Sequence, residues 1–380
     1  MEFRDLKKQY EILKEQIDGE IAEVISSGRF IGGGKVAELE GELAAYVGVK
    51  HCVTCGNGTD ALELSLMAMG IGEGDAVFVP DFTFFSTGEV VSSLGATPVF
   101  VDVLENTFNI DAKSFEAAVE GVVKEGKLKP AVVMPVDLFG MPADYEAVRT
   151  VAKKYGIRIL EDAAQGFGGE IKGTKACALG DIAATSFFPA KPLGCYGDGG
   201  AIFTNSDEEA ELLRSYCVHG KGKMKYDNVR IGMNSRLDAI QAGVLLPKLK
   251  ALAEYEVKAV NEVAAKYTAL LKDTVKTPIV PDGFTSSWAQ YTIKLNDEEE
   301  RDALKDALKE QGIPSMVYYP KPMHAQEAFT PYIKAGDSFP VTERLCKTVL
   351  SLPMHPYMSD EDINKVAAAV RSALENIRNS

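Results

Sequence analysis

Between residues 52 and 160, apolar runs with strand character alternate with segments of helical period, and this alternation narrows the possible folds more than any other feature. The strand-like runs are Cys52-Val53-Thr54, Ala76–Pro80, Pro98–Val103, Ala131–Val136 and Ile157–Leu160. Between them Thr87–Leu94, Ser114–Val123 and Tyr145–Tyr155 have the 3.6-residue spacing of amphipathic helices. Parallel strands need a crossover between them, usually a helix, so the pattern predicts an α/β fold with a mostly parallel central sheet. Ligands of such sheets sit at the carboxyl ends of the strands. Two further runs, Ile182–Phe188 and Ala201–Phe203, extend the pattern.

Upstream, Leu13, Ile17, Ile21 and Val24 mark one helix, and Val36, Leu39, Leu43 and Tyr46 a second, closed by Gly48. Downstream, charged helices around 250–272 and 298–311, with strands at Tyr291–Leu295 and Ser315–Tyr319, predict a smaller C-terminal α+β domain. The expected division is a large domain over 1–249, including the N-terminal helix, and a small one over 250–380. At 380 residues the chain is long enough for two cores.

A formal net charge of −14 argues against a nucleic-acid binder or a protein of the membrane surface. No apolar run approaches the roughly 18 residues of a membrane span. The stretch MEFRDLKKQY has no apolar core, so no signal peptide is expected. Six cysteines spread over this length suggest reduced thiols and a cytoplasmic setting. Cys52 and Cys55 form a C-x-x-C, but no helix start or second ligand pair comes after it, so core packing is expected and no metal.

Six features bear on chemistry. Lys191 is the only lysine between Lys175 and Lys221. Pro192 pushes it towards an extended backbone, and apolar residues and glycines surround it. Desolvation there disfavours the ammonium, as an imine-forming lysine requires; a surface lysine on a proline turn is the alternative, and Lys321 in Pro320-Lys321-Pro322 is its rival. Gly56-Asn57-Gly58-Thr59-Asp60 feeds the apolar helix Ala61–Met69, offering free amides to an anion, although Thr59 could simply cap that helix. Phe82-Thr83-Phe84-Phe85 puts aromatic faces at a strand end. Asp162 and Gln165 come after another strand, where Asp162 either faces a cation or caps the segment from Ala163 onwards. Gly32, Gly34 and Ala37 spell G-x-G-x-x-A after a helix rather than a strand, which favours a mobile loop near a ligand over a dinucleotide site. The run His219–Arg230, with Lys221, Lys223, Lys225 and Arg230, reads as a solvated loop or as a surface for a nucleotide diphosphate.

A glycine turn for a phosphate, an aromatic plate, a strand-end carboxylate and a desolvated lysine together describe a site for pyridoxal 5′-phosphate (PLP). The chain resembles the DegT/DnrJ/EryC1/StrS nucleotide-sugar aminotransferases, which have PLP fold type I. The likeness rests on Gly56-Asn57-Gly58-Thr59-Asp60-Ala61-Leu62, Glu161-Asp162-Ala163-Ala164-Gln165, Ser186-Phe187-Phe188-Pro189-Ala190-Lys191, Gly197-Asp198-Gly199-Gly200-Ala201 and Asn234-Ser235-Arg236-Leu237-Asp238.

The resemblance implies that Lys191 is the Schiff-base lysine and proton shuttle, Asp162 the partner of the pyridinium and Gln165 a contact to the phenolic oxygen. It implies that Phe84 stacks on the ring and that Gly58, Thr59 and Ser186 hold the phosphate. Asn234 is implied to reach over from a second subunit, making a homodimer with shared sites. The implied reaction is ping-pong transamination from glutamate to a nucleotide-linked keto-sugar, with pyridoxamine 5′-phosphate (PMP) as intermediate. The segments Phe187–Tyr196, Asn234–Arg236 and Ser351–Tyr357 are similar to the branch acting on UDP-2-acetamido-2-deoxy-3-oxo-glucuronic acid, in polysaccharide biosynthesis. There Arg236 would meet the sugar carboxylate, unless it pairs with Asp238 or another acid, and Tyr319, Tyr318 and Gly33 would line the substrate; Tyr318 stands where relatives often have histidine. A 4-keto-6-deoxy nucleotide sugar as acceptor, a PLP-dependent sugar dehydratase and a non-catalytic PLP-binding regulator remain alternatives.

Overall fold

The computed structural model describes residues 1–224 and 226–379. Seven strands form one sheet: β1 (His51–Cys55), β2 (Asp75–Pro80), β3 (Thr97–Val101), β4 (Lys129–Val133), β5 (Arg158–Asp162), β6 (Ile182–Ser186) and β7 (Gly200–Thr204). Their order is β1-β7-β6-β5-β4-β2-β3, and β7 alone runs against its neighbours. This is the mostly parallel α/β sheet predicted from the alternation. Successive side chains point to opposite faces. Val77 and Val79 therefore enter the core with Leu62, Leu64 and Leu66, while Ala76 and Phe78 face Phe115 and Val148 on the other side. The first helix, Leu6–Ser27, lays Leu13 and Ile17 against Val244 and Ala251 of helix Ala239–Ala251.

A second core gathers Val260, Tyr267, Tyr291, Ile293, Leu304, Leu350 and Val370. It surrounds a two-stranded antiparallel sheet, Tyr291–Lys294 against Val349–Leu352, with helices Val257–Leu271, Glu298–Glu310 and Asp360–Asn379. The strand predicted at Ser315–Tyr319 is not there: only Met316 makes an isolated bridge, to Ser351. Pro314 and Pro320 bracket that run and lack the amides a ladder needs. Its place beside Tyr291–Lys294 is taken by Val349–Leu352, a four-residue run directly after helix Pro340–Thr348. Between the cores the chain does not pause. Helix Ala239–Ala251 passes through one π turn, Leu252–Glu256, into Val257–Leu271, and residues 249 and 250 lie inside this continuous stretch.

Two buried aspartates tie the later chain to the strand ends. Asp81, just after β2, accepts from the His324 amide at 2.7 Å and contacts His324 Nδ1 at 2.6 Å. Asp102, just after β3, accepts from the amides of Val341 and Thr342 at 3.0 and 2.9 Å and from the Thr342 hydroxyl at 2.9 Å. It thus caps a helix from another part of the chain, which opens with Pro340 and has no side-chain cap of its own. Asp102→Ala leaves the half-buried Val341 amide and the buried Thr342 amide without an acceptor. It is expected to lower stability by about 2 kcal/mol, seen as a reduced urea midpoint; an unchanged midpoint would show that the cap is dispensable.

Candidate active site

The site forms where β5 and β6 lie side by side, with Asp162 in register with Ala184. Asp162 is the last residue of β5 and only 4% exposed. After β6 ends at Ser186 the chain turns tightly, the Lys191 amide donating to the Phe188 carbonyl at 2.8 Å. The loop then folds back so closely that a Cβ on Gly194 would lie 2.4 Å from the Pro189 carbonyl oxygen. From below, the buried Lys248 ammonium donates to the Gly194 carbonyl at 2.7 Å and lies 4.2 Å from the centre of the Tyr196 ring.

Lys191 and Asp162 are set against each other. Burial pulls the Lys191 ammonium down to about 8, opposed by the Asp162 carboxylate and assisted by the Arg4 charge. Burial pushes the Asp162 carboxyl up, opposed by hydrogen bonds from Ala164 and Thr87 and by Lys191. The Ala164 amide donates to Oδ1 at 3.1 Å and the Thr87 hydroxyl to Oδ2 at 3.0 Å. A carboxylate has about four acceptor positions, so Asp162 keeps capacity for one more donor, and a cationic ring N–H suits it.

At the end of β1, the Gly56 amide donates to the Ser235 hydroxyl at 2.8 Å. Asn57 rather than Thr59 caps the next helix, Gly58–Ala68, accepting from the Asp60 amide at 2.8 Å. Thr59 is thereby left to meet the Ser86 hydroxyl at 2.8 Å. A Cβ on Gly58 would stand 2.6 Å from the Ser186 Cβ, so only glycine allows the turn to close on Ser186. Gly58, Thr59 and Ser186 thus converge at a helix N-terminus, where amide groups and dipole favour an anion such as a phosphate. Gln165 accepts from the Phe139 amide at 2.8 Å and donates to the Tyr319 hydroxyl at 3.0 Å. Phe84 is 55% exposed, its ring centre 6.3 Å from that of Tyr319, and Tyr318 lies 5.8 Å beyond. With a buried carboxylate, a depressed amine, an anion-favouring turn and an aromatic wall, the residues present fit PLP.

Other predicted residues stand apart from this group. Asn234 and Arg236 are exposed and hydrogen-bonded to each other, while Ser235 between them is buried. Among the described residues Arg236 makes no ion pair with Asp238. Gly33, at φ +84°, lines with Ile31 and Arg236 a separate cleft of about 330 Å³. Lys221 and Lys223 are exposed, Arg230 lies 5.7 Å from the Tyr216 ring, and Lys225 lies outside the described residues. Cys52 and Cys55 are buried free thiols in separate cores, as core packing requires.

Sequence reasoning missed four supports. Thr87 and Ser86 begin a helix whose polar side faces the site; their placement after the aromatic run was the available signal. Asp137 and Glu161 form a fully buried carboxyl pair. Glu161 accepts from the amides of Cys177, Leu179 and Gly180, and Asp137 accepts from the Tyr145 hydroxyl at 2.9 Å. Burial and the nearby Glu161 charge push Asp137 well up, and burial also raises Glu161, opposed by its three amides. Nothing local in the sequence marks Asp137 for this.

Comparison with known proteins agrees with the geometry. The family model of the DegT/DnrJ/EryC1/StrS aminotransferases matches residues 11–371. The chain is 44% identical to the UDP-2-acetamido-2-deoxy-3-oxo-D-glucuronate aminotransferase of Pseudomonas aeruginosa, covering 97% of this chain and 99% of that one. It is also 44% identical to a pleiotropic regulatory protein of Geobacillus stearothermophilus, over 97% and 98% of the two. A crystal structure of a DegT/DnrJ/EryC1/StrS aminotransferase from Brucella abortus superposes with a TM-score of 0.95 at 50% identity, covering 98% and 99%. Sugar aminotransferases of this fold are known in PLP and PMP forms. The chain therefore belongs to the DegT/DnrJ/EryC1/StrS family and is a PLP-dependent sugar aminotransferase.

Proposed function

We propose that the enzyme moves an amino group from glutamate to a UDP-linked keto-sugar, UDP-2-acetamido-2-deoxy-3-oxo-glucuronic acid, in the making of a surface polysaccharide. The observation that carries the chemistry is the buried Asp162 at the end of β5 with the desolvated Lys191 on the loop that leaves the adjacent β6, each within the other's electrostatic reach. The choice of sugar is supported by the Pseudomonas aeruginosa relative and by Arg236 and Tyr319.

When bound, PLP supplies an electron-withdrawing ring that spreads negative charge from the carbon being deprotonated. Asp162, held by Thr87 and Ala164, would keep positive charge at the ring nitrogen. Lys191 Nζ would take a proton from the α-carbon of the donor and return one to the sugar carbon in the second half of the reaction. Gly58, Thr59 and Ser186 would anchor the phosphate and Phe84 would cover the ring, with Gln165 oriented by Phe139 and Tyr319. The exposed Asn234 and Arg236 are assigned to the site of a second copy, in a homodimer; the exposed apolar Ile31 beside Arg236 supports a subunit contact there.

A second reading, a neutral 4-keto-6-deoxy nucleotide sugar, is favoured by Tyr318, whose ring brings no charge for a sugar carboxylate. Mixing the PLP-loaded enzyme with glutamate is expected to yield PMP and 2-oxoglutarate in equal amounts, and titrating the PMP form with each keto-sugar separates the two readings. No 2-oxoglutarate from any amino donor would end the aminotransferase proposal. Asp162→Ala should cut turnover by about a thousandfold or more while the protein stays folded; near-normal turnover would remove Asp162 from the chemistry. In the apoprotein, only neutral Lys191 reacts with an acylating reagent, so its rate should rise with pH through a midpoint of about 8. Asp162→Asn deletes the charge that favours the ammonium and should move that midpoint down. A midpoint in the ordinary lysine range would mean a solvated amine.

A further inference from the structure

One arginine beside Lys191 takes no part in the chemistry described. Arg4 Nη2 donates to the Pro192 carbonyl at 3.2 Å, one residue past Lys191. The backbone on either side is fixed. The Phe3 carbonyl accepts from the Met354 amide at 3.1 Å, and the Phe3 ring meets the Tyr318 ring edge-on at 6.3 Å. Asp5 caps the helix that starts at Leu6, accepting from the Lys8 amide at 2.8 Å. Arg4 is therefore held between the Lys191 loop and the Tyr318–Tyr319 wall.

Its charged neighbours are mostly cationic or already engaged. Lys191 and Lys248 both feel its charge. Glu256 is the acid that acts on it, but Glu256 Oε1 already accepts from the Gln9 amide at 2.8 Å and from the Tyr357 hydroxyl. Among the described residues Arg4 enters no ion pair. A half-buried guanidinium with five donors and a single carbonyl acceptor carries a desolvation cost that a counter-charge would offset.

We propose that Arg4 is a substrate-binding residue whose free guanidinium edge pairs with a carboxylate of the substrate lying over Lys191. This rests on the aminotransferase reading, in which both substrates carry such a group: the α-carboxylate of glutamate and the uronate of the keto-sugar. A planar guanidinium matches a carboxylate in two-point contact, and the adjoining Phe3 touches the wall where Tyr318 is uncharged.

The test is calorimetric titration of the PLP-loaded wild type, Arg4→Gln and Arg4→Lys with glutarate, UDP-glucuronic acid and UDP-glucose. Arg4→Gln should weaken at least one carboxylate ligand by about 10- to 100-fold, Arg4→Lys should recover part of it, and UDP-glucose should be unaffected. A loss confined to glutarate assigns Arg4 to the amino donor; one confined to UDP-glucuronic acid assigns it to the sugar. The proposal is overturned if Arg4→Gln binds all three as the wild type does, or if it weakens UDP-glucose equally with a lowered melting temperature. It is also overturned if the wild type has no affinity for glutarate and no preference for UDP-glucuronic acid over UDP-glucose. Binding needs no turnover, so these outcomes stay readable even if glutamate proves not to be a donor.

Discussion

An amine and a carboxyl withdrawn from water, the carboxyl at the tip of one strand and the amine on the loop leaving its parallel neighbour, set the terms for this structure. Desolvation pulls Lys191 and Asp162 in opposite directions, each towards neutrality, and each partly restores the charge of the other. Such a pair survives only if it is held firmly, because a buried charge that loses its partner is costly. The surroundings are accordingly over-determined. Thr87 and Ala164 fix the carboxyl, Lys248 fixes the lysine loop through Gly194, and the buried Glu161, held by three amides, fixes the backbone just before Asp162.

The anion end of the site is a product of close packing. Gly58 is required because a side chain would strike Ser186, and this contact brings a helix N-terminus from one side of the sheet onto the end of β6. Since Asn57 performs the capping, the Thr59 hydroxyl is not consumed by the helix it begins. Local folding and ligand binding therefore draw on different atoms of the same five-residue turn.

Most of the sheet was legible because β2, β4 and β5 are short apolar runs separated by helices of clear period. So were Lys191, Asp162 and the glycine turn, each marked by an odd residue in a regular context. What escaped was long-range or depended on competition between segments. Ser315–Tyr319 has a strand's composition, yet its flanking prolines yield the ladder to Val349–Leu352. Thr87 and Asp137 look like ordinary loop and helix polar residues, and only the fold brings them to Asp162 and Glu161. Arg236 illustrates a different gap: its motif was evident, but within one chain it is exposed beside Asn234 and lines a cleft whose walls do not include Lys191.

The unbroken helical passage from Ala239 to Leu271 has a mechanical consequence. It carries Pro247 and the wider turn at Leu252–Glu256, and Glu256 there is clamped to Gln9 and Tyr357. Gln9 of the first helix and Tyr357, just before the last one, thus meet on a single carboxylate oxygen at the wide turn, so the passage between the two cores is braced from both ends of the chain.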